Sequence, residues 1–146
     1  MSGALSLTLV NHTAELERLR AAVDAFADSN SLPSDVTYVV HLALDEVVAN
    51  VIRHAHDDKQ EHPIGVDVAL GDGILRVEVV DDGKPFNPLA APPPVFDVPL
   101  EERRPGGLGI HIVKTLMDEL EYRRANGRNK LTMLKNLASF DADTVA

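Results

Sequence analysis

A proline-rich segment divides this chain and limits what can fold around it. Seven of the nine prolines lie close together, at Pro85, Pro88, Pro92, Pro93, Pro94, Pro99 and Pro105. Because proline removes a hydrogen-bond donor and restricts its predecessor, this stretch can be neither a helix nor a central strand. Loops of roughly twenty residues are uncommon inside a compact domain, and they are usually functional or disordered. We therefore expect a lid over residues 83–106 within a single domain of residues 1–146.

Periodic patterns before the lid predict the order strand, helix, helix, strand, strand. Leucines at every second position predict a strand around residues 5–9, and Thr13 can cap a helix that residues 30–33 end. A second helix begins at Ser34, and its apolar residues repeat at a spacing near four, which predicts a buried stripe. This stripe comprises Val36, Val40, Leu44, Val47 and Val51. A hairpin follows, in which apolar and polar residues alternate along the strands on either side of residues 71–73.

The pattern after the lid predicts one more helix, over residues 108–120, and a second hairpin around Asn126-Gly127. Its strands are expected over residues 121–125 and 131–135. Strands with one apolar face need helices to cover that face. The sequence therefore predicts an α/β (α+β) two-layer sandwich, with three helices on one face of a mixed, mainly antiparallel sheet of about five strands.

Composition excludes several classes of protein. Cysteine is absent, which excludes disulfides, thiolate metal sites and a cysteine nucleophile. The net charge of −9 repels phosphate backbones, so we expect no direct nucleic-acid binding. No apolar run approaches the ~18 residues of a membrane span. The N-terminus also lacks the basic start of a signal peptide. We expect a soluble, cytoplasmic protein with no membrane contact.

Three short segments carry candidate chemistry, and the first lies on the second helix. Glu46, Asn50 and His54 are spaced by four, so they form a polar stripe beside the Val47/Val51 core line. Asparagine is a poor helix former, and a glutamate there would normally face water. The stripe is therefore open to two interpretations, a solvated flank of the helix or a functional site at the edge of the core.

The second segment is the run Asp81-Asp82-Gly83-Lys84-Pro85-Phe86, which directly follows an apolar strand. Aspartate and glycine are common turn residues, so a plain turn is one interpretation. The other is a carboxylate at the end of a strand, aimed into a pocket, with glycine permitting close approach of a ligand. We interpret Asp82 as an exposed turn residue.

The third segment, Arg104-Pro105-Gly106-Gly107-Leu108-Gly109, opens the third helix. Unpaired N–H groups and the helix dipole make such a start a phosphate-binding position. The segment matches neither the dinucleotide-binding nor the Walker pattern, so taken alone it is weak evidence.

Three histidines, His54, His56 and His62, suggest a metal. Positions i and i+2 of a helix do not face the same way, and the usual zinc ligand spacings are absent. We therefore expect no zinc site.

Taken in order, the three segments resemble the N, G1 and G2 boxes of the ATPase superfamily that includes DNA gyrase, the sensor histidine kinases and MutL. The chain is most similar to the branch of anti-sigma factor serine/threonine kinases. Four details carry this resemblance: Glu46-x-x-x-Asn50, Asp81-x-Gly83-x-Pro85-Phe86, residues 104–109, and Leu116-Met117-Asp118-Glu119-Leu120-Glu121-Tyr122. Pro85 replaces a glycine of the wider superfamily, as in the anti-sigma branch. The resemblance implies a Bergerat-type fold with an ATP lid.

The resemblance also implies roles for individual residues. Glu46 would be the general base toward an attacking hydroxyl, and Asn50 would help hold Mg²⁺ against the phosphates of ATP. Asp81 would accept the adenine amino group, with Gly83 allowing the ring to approach. Thr132 would join this adenine contact through water.

Phosphate binding is implied for the third segment. Gly107, Leu108 and Gly109 would form the phosphate-binding start of the helix, where backbone N–H groups face the nucleotide. Arg104 would contact a phosphate or a protein partner.

The function implied is an ATP-dependent protein serine/threonine kinase that phosphorylates an anti-sigma antagonist and regulates transcription by switching to a sigma-like factor. Gyrase, MutL and sensor kinases need a further domain, and we expect no residues of this sequence to form one. The alternative is an ATP-binding module that sequesters a partner without kinase turnover. The family resemblance alone suggests a homodimer.

Overall fold

The computed structural model describes residues 3–90 and 107–137, and its elements follow the predicted order. The strands are β1 (Gly3–Val10), β2 (Pro63–Gly71), β3 (Ile74–Asp81), β4 (Glu119–Ala125) and β5 (Arg128–Asn136). The helices are α1 (Glu15–Ser29), α2 (Ser34–His54) and α3 (Gly107–Leu116), with a short 3₁₀ turn at Pro88–Ala90. Most of the predicted lid, residues 91–106, lies outside the described residues.

The five strands form one sheet in the order β1-β2-β3-β5-β4, and each neighbouring pair is antiparallel. The prediction of a mainly antiparallel sheet is confirmed, and the described strands include no parallel pair. Both predicted hairpins form. Asp72-Gly73 and Asn126-Gly127 supply two consecutive residues with positive φ, near 54° and 75° in each turn. This is the conformation that two-residue hairpins need.

The core lies on one face of the sheet. Alternate residues of β2, β3 and β5 are buried there, and their neighbours face outward. Residues of all three helices join the same apolar cluster, including Leu19 of α1, Leu44 of α2 and Val113 of α3. The predicted stripe of α2 is buried up to Val47, whereas Val51 is half-buried at the edge of a cleft. Within residues 3–90 and 107–137, no helix is long and apolar enough to cross a membrane.

Two predicted helix ends are wrong. Thr13 does not cap α1, which begins after Ala14 without a side-chain cap. The third helix ends at Leu116 rather than at residue 120, because the chain turns there into the sheet. The Asp118 N–H donates to the carbonyl of Leu134 at 2.9 Å. Residues 119 and 120 then pair with Leu134 and Met133 of β5.

Candidate functional site

A cleft opens between the C-terminal half of α2, the ends of β3 and β5, and the loop after β3. It encloses about 420 Å³ when the open space at its mouth is included. Most of its lining is apolar. Among the described residues, three polar side chains are buried, and all three line this one cleft: Asn50, Asp81 and Asn129. Buried polar groups are rare and need hydrogen-bond partners, so three of them around one mainly apolar cleft make it the candidate binding site.

Asp81 lies at the last position of β3, with its carboxylate at the end of the cleft. Its Oδ1 accepts a hydrogen bond from the N–H of Gly83 at 2.9 Å and another from Nδ2 of Asn129 at 3.0 Å. No described residue donates to Oδ2. One oxygen therefore fixes the carboxylate in place, and the other is left for a ligand. A plain turn would not bury this side chain.

Asn129 is the site residue that the sequence analysis missed. It lies directly opposite Asp81 in the pairing of β3 with β5. Its amide nitrogen donates to Asp81 and to the carbonyl of Lys84, and its oxygen accepts from the hydroxyl of Tyr122. The alternation of buried and exposed residues along β5 could have identified it, because Asn129 lies on the same face as Leu131 and Met133.

Thr132 is not in the cleft, so its predicted place beside Asp81 is wrong. It pairs with Glu78 in the sheet and lies on the face away from the helices. Leu131 and Met133, its neighbours in β5, are buried on the core face. Since successive side chains of a strand point to opposite faces, a threonine between two core residues cannot reach a site on the core side.

Gly83 packs against the end of α2, and its predicted role of admitting the adenine ring stays a prediction. A Cβ at this position would lie 2.6 Å from the carbonyl oxygen of Ala55, which follows α2. The loop after β3 is held against that end of the helix, since the N–H of Lys84 donates to the same carbonyl. Position 83 therefore favours glycine, because the backbone of this loop packs against the backbone at the end of α2 and leaves no room for a side chain.

We expect Gly83→Ala to lower the free energy of unfolding by about 1–3 kcal/mol, because it forces two packed backbone segments apart. Chemical denaturation monitored by circular dichroism measures this. Gly71→Ala is the matched control, since a Cβ there meets nothing within 4 Å, and it should be nearly neutral. Equal stabilities for the two variants would show that the loop accommodates the methyl group.

The polar stripe of α2 is not a solvated flank at Glu46 and Asn50, whereas His54, which also lines the cleft, is exposed. Asn50 is only 6% exposed, and its Oδ1 accepts a hydrogen bond from Arg53 at 2.6 Å. Glu46 is half-buried, and its Oε1 is buried without a hydrogen bond from any described residue. Burial raises the pKa of Glu46, and the charge of Arg53 and a hydrogen bond with Asn50 offset part of that increase. A carboxylate in this setting accepts a proton more readily than one in water.

Gly109 places the start of α3 directly on the Glu46 carboxylate. A Cβ at residue 109 would lie 2.6 Å from Oε1 and still closer to the other carboxylate atoms. Gly107 and Leu108 lie in the same first turn, where backbone N–H groups have no partner within the helix. The predicted phosphate-binding turn and the predicted base are therefore neighbours. Arg104 lies outside the described residues.

Comparison with known proteins agrees with this geometry. Residues 9–135 match the sequence profile of the histidine kinase-like ATPase domain. The chain belongs to the histidine kinase-like ATPase family. The match covers the strands and helices that form the cleft.

Members of this family with curated names resemble the chain over most of its length. An anti-sigma F factor of Caldanaerobacter subterraneus subsp. tengcongensis is 32% identical over 116 residues, which cover 79% of this chain and 80% of that protein. The serine/threonine-protein kinase BtrW of Bordetella bronchiseptica is 28% identical, over 69% of this chain and 71% of that one. The serine-protein kinase RsbW of Oceanobacillus iheyensis is 24% identical, over 70% and 66%.

A solved structure shares the fold of this chain. The RsbU and RsbW domains of Rv1364c from Mycobacterium tuberculosis superpose with a TM-score of 0.68 at 18% identity. The match covers 92% of this chain, which spans about a third (32%) of that longer one. The predicted histidine kinase-like ATPase fold is thereby confirmed.

Proposed function

We propose that this chain is an ATP-dependent protein serine/threonine kinase of the anti-sigma-factor type, which phosphorylates an anti-sigma antagonist and switches between that antagonist and a sigma-like factor. The observation that carries the proposal is the position of Glu46, a half-buried carboxylate beside both Asn50 of the cleft and the first turn of α3. The named similarity to anti-sigma factors and serine-protein kinases supports the same conclusion.

Adenine fits the inner end of the cleft. Oδ2 of Asp81 is an acceptor for an exocyclic amino group, since Oδ1 is already bonded to Gly83 and Asn129. Val79 and Leu131 supply apolar walls for the ring, and both line the cleft. Thr132 takes no part in this contact. Asn129 acts in its place as the residue that orients Asp81.

Asn50 is the residue that would hold Mg²⁺. Its side-chain oxygen is a hard ligand of the kind that Mg²⁺ prefers, and it lies in the wall of the cleft. This oxygen accepts a hydrogen bond from Arg53 in the structure, so a bound ion would replace the guanidinium as its partner. When bound, the ion would neutralise charge on the phosphates, which an acidic chain of net charge −9 opposes.

Glu46 acts as the general base. It accepts the proton of a serine or threonine hydroxyl as that oxygen forms its bond to the γ-phosphorus of ATP, and the bond from this phosphorus to the bridging oxygen of ADP breaks. Phosphoryl transfer depends on positioning and charge more than on covalent catalysis, so one oriented carboxylate is sufficient. We also propose that the backbone N–H groups of residues 107–109 bind the phosphates, with Arg104 contacting a phosphate or the partner.

The test is phosphate transfer from γ-labelled ATP and Mg²⁺ to proteins in a lysate of the source organism. We expect one small labelled protein that carries the label on serine or threonine. Absence of a labelled band, with ATP binding confirmed by calorimetry, would favour the alternative of a module that sequesters its partner without turnover. Absence of ATP binding would contradict both.

Gly109→Ala is expected to slow phosphate transfer a few-fold while it changes ATP affinity much less. The added methyl group displaces the Glu46 carboxylate, and small misplacements of a catalytic group are costly. Initial rates on the labelled substrate and calorimetry with ATP measure the two effects. Gly71→Ala serves as the control, and an unchanged rate in Gly109→Ala would show that Glu46 moves without consequence.

The homodimer stays a prediction, which light scattering of the purified chain would check.

A further inference from the structure

A second cluster of side chains lies outside the nucleotide cleft, where the segment after α2 meets the loop after β3. It comprises His56, His62 and Asp82, and each of these residues offers a ligand atom within 4.8 Å of the others. Nε2 of His56 lies 3.0 Å from Oδ1 of Asp82, and Nδ1 of His62 lies 3.8 Å from the same oxygen. The two imidazole rings are stacked, with their centroids 3.4 Å apart.

We propose that His56, His62 and Asp82 form a binding site for a divalent transition-metal ion such as Zn²⁺. Neutral imidazole and carboxylate are ligands that zinc accepts at about 2.0–2.2 Å. Two atoms bound at that length to one tetrahedral ion lie roughly 3.4 Å apart. The distances of 3.0 and 3.8 Å lie on either side of this value, and the three atoms reach one ion once the stacked rings rotate apart so that each nitrogen points at it.

The surroundings of His62 support the proposal. Its Nε2 lies 2.9 and 2.8 Å from the two carboxylate oxygens of Asp58. An ionised carboxylate accepts hydrogen bonds and donates none, so the contact of His62 with Asp58 holds a proton of the imidazole on Nε2. Nε2 therefore carries the proton of the neutral ring, and Nδ1 directs its lone pair at Asp82. Histidine ligands of metals are commonly oriented by a carboxylate in this way.

The surroundings of His56 point to the same conclusion. Its side chain is only 13% exposed, and its Nε2 is buried without a hydrogen bond from any described residue, although Asp82 is close by. A buried nitrogen that lies 3.0 Å from a carboxylate without a well-directed hydrogen bond is suited to sharing an ion with that carboxylate. The sequence expectation of no zinc site assumed that His56 lies on the helix, but α2 ends at His54.

An ion at this site would join the two segments that border the adenine end of the cleft. His56 follows Ala55, and Asp82 follows Asp81, and both Ala55 and Asp81 line the cleft. The proposal does not depend on kinase activity, because its ligands are separate from Glu46 and Asn50.

The experiment is calorimetric titration of the tag-free full chain with Zn²⁺, without nucleotide, together with Co²⁺ as a spectroscopic probe. We expect one Zn²⁺ per chain, a tetrahedral Co²⁺ absorption that Zn²⁺ abolishes, and no displacement by excess Mg²⁺. His56→Gln and His62→Gln should each weaken Zn²⁺ binding at least tenfold. His41→Gln is the matched control, since His41 also contacts an aspartate, Asp24, but no second histidine.

Asp58→Asn provides a second test at an exposed position, where loss of folding is not expected. It should weaken Zn²⁺ binding by roughly tenfold or more, because it removes the group that orients His62. Thermal unfolding without metal verifies that each variant is folded. The proposal is overturned if the wild type binds no Zn²⁺, or if the His56 and His62 variants bind it as tightly as the His41 variant does.

Discussion

Glu46→Gln is expected to reduce phosphate transfer at least about 100-fold while it leaves ATP affinity within about twofold of wild type. A general base contributes roughly 10²–10⁴-fold to a reaction, and an amide of the same shape cannot accept the proton. The carboxylate lies against α3 rather than among the side chains that line the adenine cleft, so nucleotide binding should not depend on its charge. Initial rates on the labelled substrate and calorimetry with ATP give the two numbers.

Glu17→Gln is the matched control for this variant, because Glu17 is an exposed glutamate on α1. Its rate should equal that of wild type. A normal rate in Glu46→Gln would show that another group takes the proton. A loss of ATP binding in Glu46→Gln would show instead that Glu46 is a nucleotide ligand, and the assigned chemistry would be wrong.

Asp81→Asn should weaken ATP binding at least tenfold. The variant loses a charge-assisted acceptor worth about 1.5–3 kcal/mol. The surrounding donors make the loss worse, because Gly83 and Asn129 both donate to one side of this group. The amide oxygen must face those donors, so the new NH₂ group faces the cleft, where it meets the amino group of adenine as a second donor.

Calorimetry with ATP measures the effect, and Asp67→Asn is the control, since Asp67 is exposed on the outer face of β2. Thermal unfolding establishes that Asp81→Asn is folded. An affinity equal to that of the Asp67 variant would remove Asp81 from the adenine contact. In that case the buried carboxylate would serve only to hold the loop after β3.

Local patterns predicted the elements of this fold because each depends on neighbouring residues. The stripe of α2 and the two glycine hairpins formed where periodicity and turn chemistry placed them. The end of α3 was not predicted, since residues 119 and 120 have a helical pattern but gain more from pairing with β5. Pairing between distant segments outweighs the local preference of a few residues.

Site residues on α2 and β3 were predicted from their motifs, whereas those on β5 required the register of the sheet. The family resemblance pointed to Thr132, whereas the register of the sheet places Asn129 opposite Asp81. The contact between His56 and His62 depends on how the loop between α2 and β2 folds back, which no spacing rule describes. Sequence patterns alone do not predict tertiary contacts of this kind.

The contact between Gly109 and Glu46 has a consequence for how this protein can evolve. The distance from Glu46, the proposed base, to the first turn of α3 is set by the packing of one helix against another, through a position where only hydrogen fits. Any larger residue at position 109 therefore has to be accompanied by a change in how α2 and α3 pack, so this one position restrains both helices at once.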